Sequence, residues 1–469
     1  MEFHGIIEKY RREIIKSVQE LVRIKSVSEE SKDGYPFGEG PYNALKYVLD
    51  LGNDLGFITE NVDNYAGHIE FGQGKEIIGI LAHLDVVPEG EGWTYPPYGA
   101  EIYENKIYGR GTSDDKGPAI AALYAMKAVM DSGLEINKRI RLILGTSEET
   151  SSEDIKYYLS KKETPNLAFS PDAEFPVIQG EMGILEIKLM KKFKNTTKNN
   201  IRIKSISGGS AANMVPGICT AILDVYEIEK EKIKKIVDEF NSSQKGEILL
   251  EEDSDEMKII SNGISAHGGS PEKGKNAISQ MMMLLEELDI ASSDLQEFIA
   301  TYNSKIGMEY NGQSIGCGFE DDISGKLKLN IGIINFNKDL AEIILNVRYP
   351  ITIKAEKVID NMRKELDKAD IEVIVKNDMK PIYMDEEHVL IQKLMKAYKK
   401  VTKDSEAKPK VIAGGTYARA MSNAVAFGAQ FPGEPDCAHQ KDEYIEIDNL
   451  IKCTNIFAQS IYELTMNAD

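Results

Sequence analysis

Apolar residues recur at helical spacing over residues 8–22, where Ile14, Ile15, Val18, Leu21 and Val22 share one face; this predicts an amphipathic helix. Short apolar runs at 68–71, 76–82 and 139–145 predict strands. Between the last two, 118–130 predicts a helix that ends near Ser132-Gly133. Strands alternating with helices imply an α/β layer with much parallel pairing. Around Ile178 the texture changes. From there to about Lys380 the runs 183–190, 259–265, 326–336 and 341–348 predict strands, with helices over 231–242 and 276–288. After Asp385 a helix (389–400) and Gly/Pro-rich loops follow. The expected fold class is therefore α/β: a catalytic domain with a mixed, mostly parallel sheet flanked by helices, interrupted by an inserted α+β domain. The boundaries fall at 1–183, 184–380 and 381–469.

Composition narrows the function classes. A chain of 469 residues is too long for one ordinary core. No apolar run approaches the length of a membrane span, and Met1-Glu2-Phe3-His4 lacks the basic and apolar regions of a signal peptide, so the expectation is a cytoplasmic protein. A formal net charge of −20 argues against nucleic acid and against anionic lipid as partners. The basic run 188–204 and the acidic run 251–256 read as solvated faces. Four cysteines (219, 317, 437 and 453) form no C-x-x-C pair, which speaks against a cysteine zinc cluster. With only six histidines, any site that uses several of them stands out.

Five places carry candidate chemistry. His83-Leu84-Asp85 closes the run 77–82, and alternate strand residues point the same way, so imidazole and carboxylate reach one rim. Gly109 to Gly117 places Asp114 and Asp115 in a glycine-rich turn before a helix; alone, it reads equally as a turn with an N-cap. Glu148 and Glu149 follow the strand 139–145. One can ligate a metal while the other handles protons, though the pair also fits the acidic first turn of a helix. Asp172 lies in Ser170-Pro171-Asp172, and His439 lies in a polar loop. Together they offer nitrogen and oxygen donors without cysteine, which suits a hydrolytic zinc, manganese or cobalt site. There are enough ligands for two metals sharing a carboxylate.

The succession HLDVVPEGEGW, GRGTSDDKGP, GTSEET, SPDAEFP and CAHQKDE resembles the metallopeptidase family that includes glutamate carboxypeptidase, aminoacylase and succinyl-diaminopimelate desuccinylase. The segments GGTYAR, NMVPG and LNVRYP resemble its branch of PepV-type dipeptidases from Gram-positive bacteria. The likeness covers essentially the whole chain and implies a two-domain metallopeptidase whose inserted domain is a lid. It implies that His83 binds one metal with Asp85 holding the imidazole, that Asp114 bridges two metals, and that the Asp114–Asp115 peptide is cis. Asp172 completes the ligand set of the first metal, Glu149 and His439 that of the second metal, and Glu148 is the general base. His267 corresponds to the lid histidine that stabilises the oxyanion. Asn213 and Arg348 bind substrate, Arg348 by gripping a carboxylate, and Gly414, Gly415 and Thr416 line the same end of the cleft. Asp115 is assigned the substrate's N-terminus. One departure stands out: the family usually has Asp immediately before the two glutamates, and this chain has Ser147.

The implied function is a dipeptidase acting on unblocked dipeptides, with Xaa-His and β-alanyl dipeptides among the candidates, and with two divalent ions per subunit, zinc foremost. The alternatives are an N-acyl-amino-acid deacylase and a non-catalytic peptide-binding homologue. Many relatives dimerise through the lid and take the histidine from the partner subunit. An insertion of about 200 residues is long enough to replace a partner, so the expectation is a self-sufficient monomer, with a homodimer as the alternative.

Overall fold

The protein is described by a computed structural model covering residues 3–193, 201–243, 245–252, 256–288, 290 and 293–466. Parts of the basic run 188–204 and the acidic run 251–256 lie outside the described residues. The chain divides into two compact units: Met1–Gly180 with Met384–Lys410 and Gly415–Asp469, and Glu181–Tyr383 with Val411–Gly414. These change over within a few residues of 183/184 and 380/381. The segment 411–414 groups with the second unit rather than the first.

The first unit is built on a mixed sheet. Its strands run in the order Ile58–Val62, Ala66–Gly72, Arg139–Gly145, Ile77–His83, Leu167–Ser170, Ala424–Phe427 and Val177–Glu181. The central four, from Arg139–Gly145 to Ala424–Phe427, are mutually parallel, and the flanking pairings are antiparallel. Every residue of Ile77–His83 is buried, as expected of a strand covered on both faces. Helix Lys116–Asp131 packs on Ile77–His83 and Arg139–Gly145 and against helix Ile447–Thr465. It is buried on nearly all sides, which explains its almost unbroken apolar sequence. Helix Glu39–Asp54 covers the antiparallel edge.

The second unit is an antiparallel sheet in the order Glu247–Glu252, Glu256–Asn262, Ile218–Val225, Ile201–Gly208, Lys328–Asn337, Leu340–Tyr349, Gly183–Lys192 and Glu372–Met379. Several of its strands alternate between buried and more exposed positions, Ile218–Val225 and Glu256–Asn262 among them. Leu185, Ile187 and Leu189 face the core opposite Val347, Leu345 and Ile343. Helices Ala277–Glu286, Ser293–Lys305 and Ala355–Leu366 supply the other wall of this core. The strand expected over 259–265 stops at Asn262; beyond it the backbone turns to other partners, Gly263 N–H donating to the Gly217 carbonyl and Ile264 bridging Lys275. Among the described residues, no helix is long and apolar enough to cross a membrane.

Candidate metal centre

The parallel strands of the first unit deliver the site. His83 and Gly145 are register partners at the carboxyl ends of adjacent strands, and Leu167–Ser170 ends on the other side of His83's strand. Loops leaving such strand ends form the crevice of an open α/β sheet. Glu148 and Glu149 leave one strand there, and Asp172 leaves another. Helix Glu153–Lys161 begins only after both glutamates, so they are not its acidic first turn.

His83 is fully buried, and its two ring nitrogens face different partners. Nδ1 lies 3.0 Å from the Asp85 carbonyl oxygen and 3.5 Å from the Asp85 carboxylate. Nε2 lies 3.0 Å from Asp114 Oδ1 and 3.8 Å from Asp172 Oδ1. The other Asp114 oxygen, Oδ2, lies 3.0 Å from His439 Nε2, which in turn lies 2.9 Å from Glu149 Oε1. Asp114 thus presents one oxygen to each histidine. Two overlapping groups, His83–Asp114–Glu149 and His83–Glu148–Asp172, bring their ligand atoms within 4.8 Å of one another.

Electrostatics match this crowding. Burial, reinforced by neighbouring carboxylates, drives the Glu148 carboxyl well up and Asp172 to about 7. Burial opposes charge on both imidazoles, but hydrogen bonds to carboxylates prevail: His83 lies well above its usual range, and His439 is pushed up to about 11. Asp114 is held below the usual carboxylate range by hydrogen bonds from His439 and His83, against the effect of its burial. Converging carboxylates and imidazole nitrogens without sulfur fit divalent zinc, manganese or cobalt.

Other carboxylates work behind this shell. Asp85 is fully buried and accepts the backbone N–H groups of Glu148 at 3.0 Å and Glu149 at 3.1 Å. Its carboxylate therefore serves the glutamate turn more directly than the imidazole. Asp115 differs from its expected role. It is fully buried, its Oδ2 accepts the His83 backbone N–H at 3.1 Å, and its Oδ1 has no hydrogen-bond partner. A side chain spent on the strand end is not presented to a substrate amine. The Asp114–Asp115 peptide is cis.

Glu443 was not singled out from sequence, although it stands four residues beyond His439 in the same motif. It is fully buried, and its Oε1 accepts the N–H groups of Gly111, Ser113 and Asp114 at 3.1, 2.9 and 3.2 Å. Its Oε2 pairs with Arg110 at 2.7 Å, and Arg110 lies over the Trp93 ring. The loop that carries Asp114 is thereby fixed from behind.

The remaining candidates divide between the units. In the second, the His267 turn is tied to Asn213: Gly268 N–H donates to the Asn213 carbonyl at 2.6 Å, and Met214 bridges His267. Arg348 is buried on strand Leu340–Tyr349, with Nε donating to Asn346 Oδ1 at 2.7 Å. Gly414 belongs to this unit, whereas Gly415 and Thr416 belong to the first. Thr416 caps the short helix Tyr417–Ala420 by accepting from Ala418 N–H.

Residues 79–463 match the model of peptidase family M20/M25/M40. The chain belongs to this family. It is 38% identical over 473 residues, 99% of this chain and all of the other, to a Bacillus subtilis (strain 168) protein named "Putative dipeptidase YtjP". It is 35% identical over 468 residues, 98% of each chain, to a Staphylococcus haemolyticus (strain JCSC1435) protein named "Putative dipeptidase SH1171". Among solved structures, human carnosine dipeptidase 1 superposes with a TM-score of 0.61 at 14% identity, over 99% of this chain and 98% of that one. The dipeptidase Dug1p of Saccharomyces cerevisiae superposes with a TM-score of 0.61 at 15% identity, over 100% and 98%. These two likenesses bear on the fold. The family M20/M25/M40 chain described here is a hydrolase of peptide bonds, and its family is metal-dependent.

Proposed function

We propose that this protein is a dipeptidase using two divalent ions, zinc foremost, to hydrolyse unblocked dipeptides. His83, Asp114 and Asp172 hold one ion; Asp114, Glu149 and His439 hold the other. The observation that supports this reading most is Asp114, whose two oxygens each lie 3.0 Å from a different histidine Nε2. When bound, the ions polarise the scissile carbonyl and acidify water. Glu148 takes a proton from the attacking water and returns it to the leaving amine. His267 donates to the developing oxyanion. Asn213 and Arg348 hold the substrate, the guanidinium gripping its C-terminal carboxylate, and Gly414, Gly415 and Thr416 line that end. The grip on the C-terminal carboxylate limits the length of the substrate on the leaving-group side.

One preparation should be offered dipeptides, including Xaa-His and β-alanyl examples, beside N-acetyl-amino acids, with zinc or manganese present. Release of free amino acids at higher kcat/KM from the dipeptides is the expected result. Preference for the blocked substrates makes the chain a deacylase, and binding of dipeptides without turnover makes it a non-catalytic homologue.

A further inference from the structure

Ser147 stands immediately before Glu148 and Glu149, in the turn that leaves strand Arg139–Gly145. The Ser147 hydroxyl bonds to the Thr150 and Ser151 hydroxyls, at 2.7 and 3.0 Å. The carboxylate that reaches this turn comes from Asp154, one residue into the following helix. Asp154 is fully buried, and its Oδ2 accepts the backbone N–H groups of Thr146 at 2.6 Å and Ser147 at 2.8 Å. The same oxygen accepts the Tyr417 hydroxyl, and Oδ1 accepts the N–H of Ile155 at 2.7 Å. Asp85 takes the next two N–H groups, those of Glu148 and Glu149. Four consecutive amides, 146 to 149, are thus held in pairs by two carboxylates.

Tyr417 joins this arrangement to the metal ligands. Its ring meets the His83 imidazole edge-on, with centroids 6.2 Å apart and an interplanar angle of 85°. The space in which its hydroxyl meets Asp154 exists because residue 145 is glycine, whose missing methyl group would overlap both.

We infer that Asp154 and Tyr417 form a buried latch that positions Glu148, and that Tyr417 supports the His83 ring at the same time. They are positioning residues: Asp154 acts through the Thr146–Ser147 backbone, and Tyr417 through Asp154 and His83. The inference deepens the dipeptidase reading and rests on it for its kinetic consequence only. Removing the phenol hydroxyl loosens the turn without removing a ligand or the base. A misplaced base costs turnover rather than binding.

Tyr417→Phe and the isosteric Asp154→Asn test it. With wild-type metal content, each is expected to lower kcat about 10- to 100-fold while KM stays within about twofold. In the metal-free proteins, amide hydrogen exchange across 146–149 should quicken relative to metal-free wild type, while exchange in strand Arg139–Gly145 stays unchanged. If Asp154→Asn does not fold, Tyr417→Phe decides. Unchanged exchange at 146–149 with wild-type kcat in a folded Tyr417→Phe protein overturns the latch. If the wild type cleaves no dipeptide, the functional reading fails, and the exchange measurement still decides the latch.

Discussion

The two units bury different things. In the antiparallel unit, the interior is mostly apolar: Leu185, Ile187, Leu345 and Val347 meet across neighbouring strands and beneath helices. In the parallel unit, ionisable groups go inside beside the apolar core: His83, Asp85, Asp115, Asp154 and Glu443 are all fully buried. Burying a charge is costly unless it is paired or hydrogen-bonded. Here each of these carboxylates accepts hydrogen bonds from a chain segment that carries a candidate ligand or Glu148. Interior polarity therefore marks the chemistry, whereas alternating apolar burial marks the framework.

The sharpest way to break this contrast is to exchange the consequences of substitution in the two units. Glu148→Ala should lower dipeptide kcat by about 10³-fold or more, while thermal unfolding stays near that of wild type. A variant with wild-type turnover and bound metal removes Glu148 from its role. Leu345→Ala, in the antiparallel core, should do the converse. It is expected to cost about 2–5 kcal/mol in unfolding free energy, with metal content per folded chain unchanged.

A smaller effect probes a buried ionisable group away from the centre. His68 is buried against Tyr158, and burial, helped by the Arg141 charge, lowers its pKa to about 4. Its folded value lies below its unfolded one. The stability it confers is therefore present above pH 6.5 and lost as pH falls toward 4, by up to about 3 kcal/mol. His68→Phe should flatten the stability profile in that window and leave the profile above pH 7 unchanged. Denaturant unfolding at a series of pH values measures both.

What the chain disclosed in advance follows the same division. Amphipathic and alternating segments were legible: strand Arg139–Gly145 lies where its pattern predicts, and helix Val389–Thr402 exceeds its prediction by two residues. Helix Ile447–Thr465 was passed over, although Asp448, Lys452, Asn455 and Gln459 share one face at helical spacing; Asn455 and Gln459 on that face are themselves buried. Helix Glu39–Asp54 was hidden by Gly40, Pro41 and Gly52, residues that ordinarily punctuate helices. At the site, the residues around Asp114 stood out as candidates one by one, and the resemblance carried by their five motifs assigned them to one centre. Asp154 and Glu443 did not stand out. Their role depends on which backbone amides the fold brings to them, 7 or 8 residues away for Asp154 and 329 to 332 for Glu443. Asp115 was misjudged for the same reason: its motif places it beside a ligand, but its direction is set by the strand end it caps.

In the proposed dipeptidase, activity depends on two ions that share Asp114. Stepwise addition of zinc to metal-free protein, with dipeptide hydrolysis followed at each step, tests it most directly. Turnover should be absent without metal and should rise to saturation at two ions per chain. Full turnover in metal-free protein, or saturation at a single ion, would contradict it.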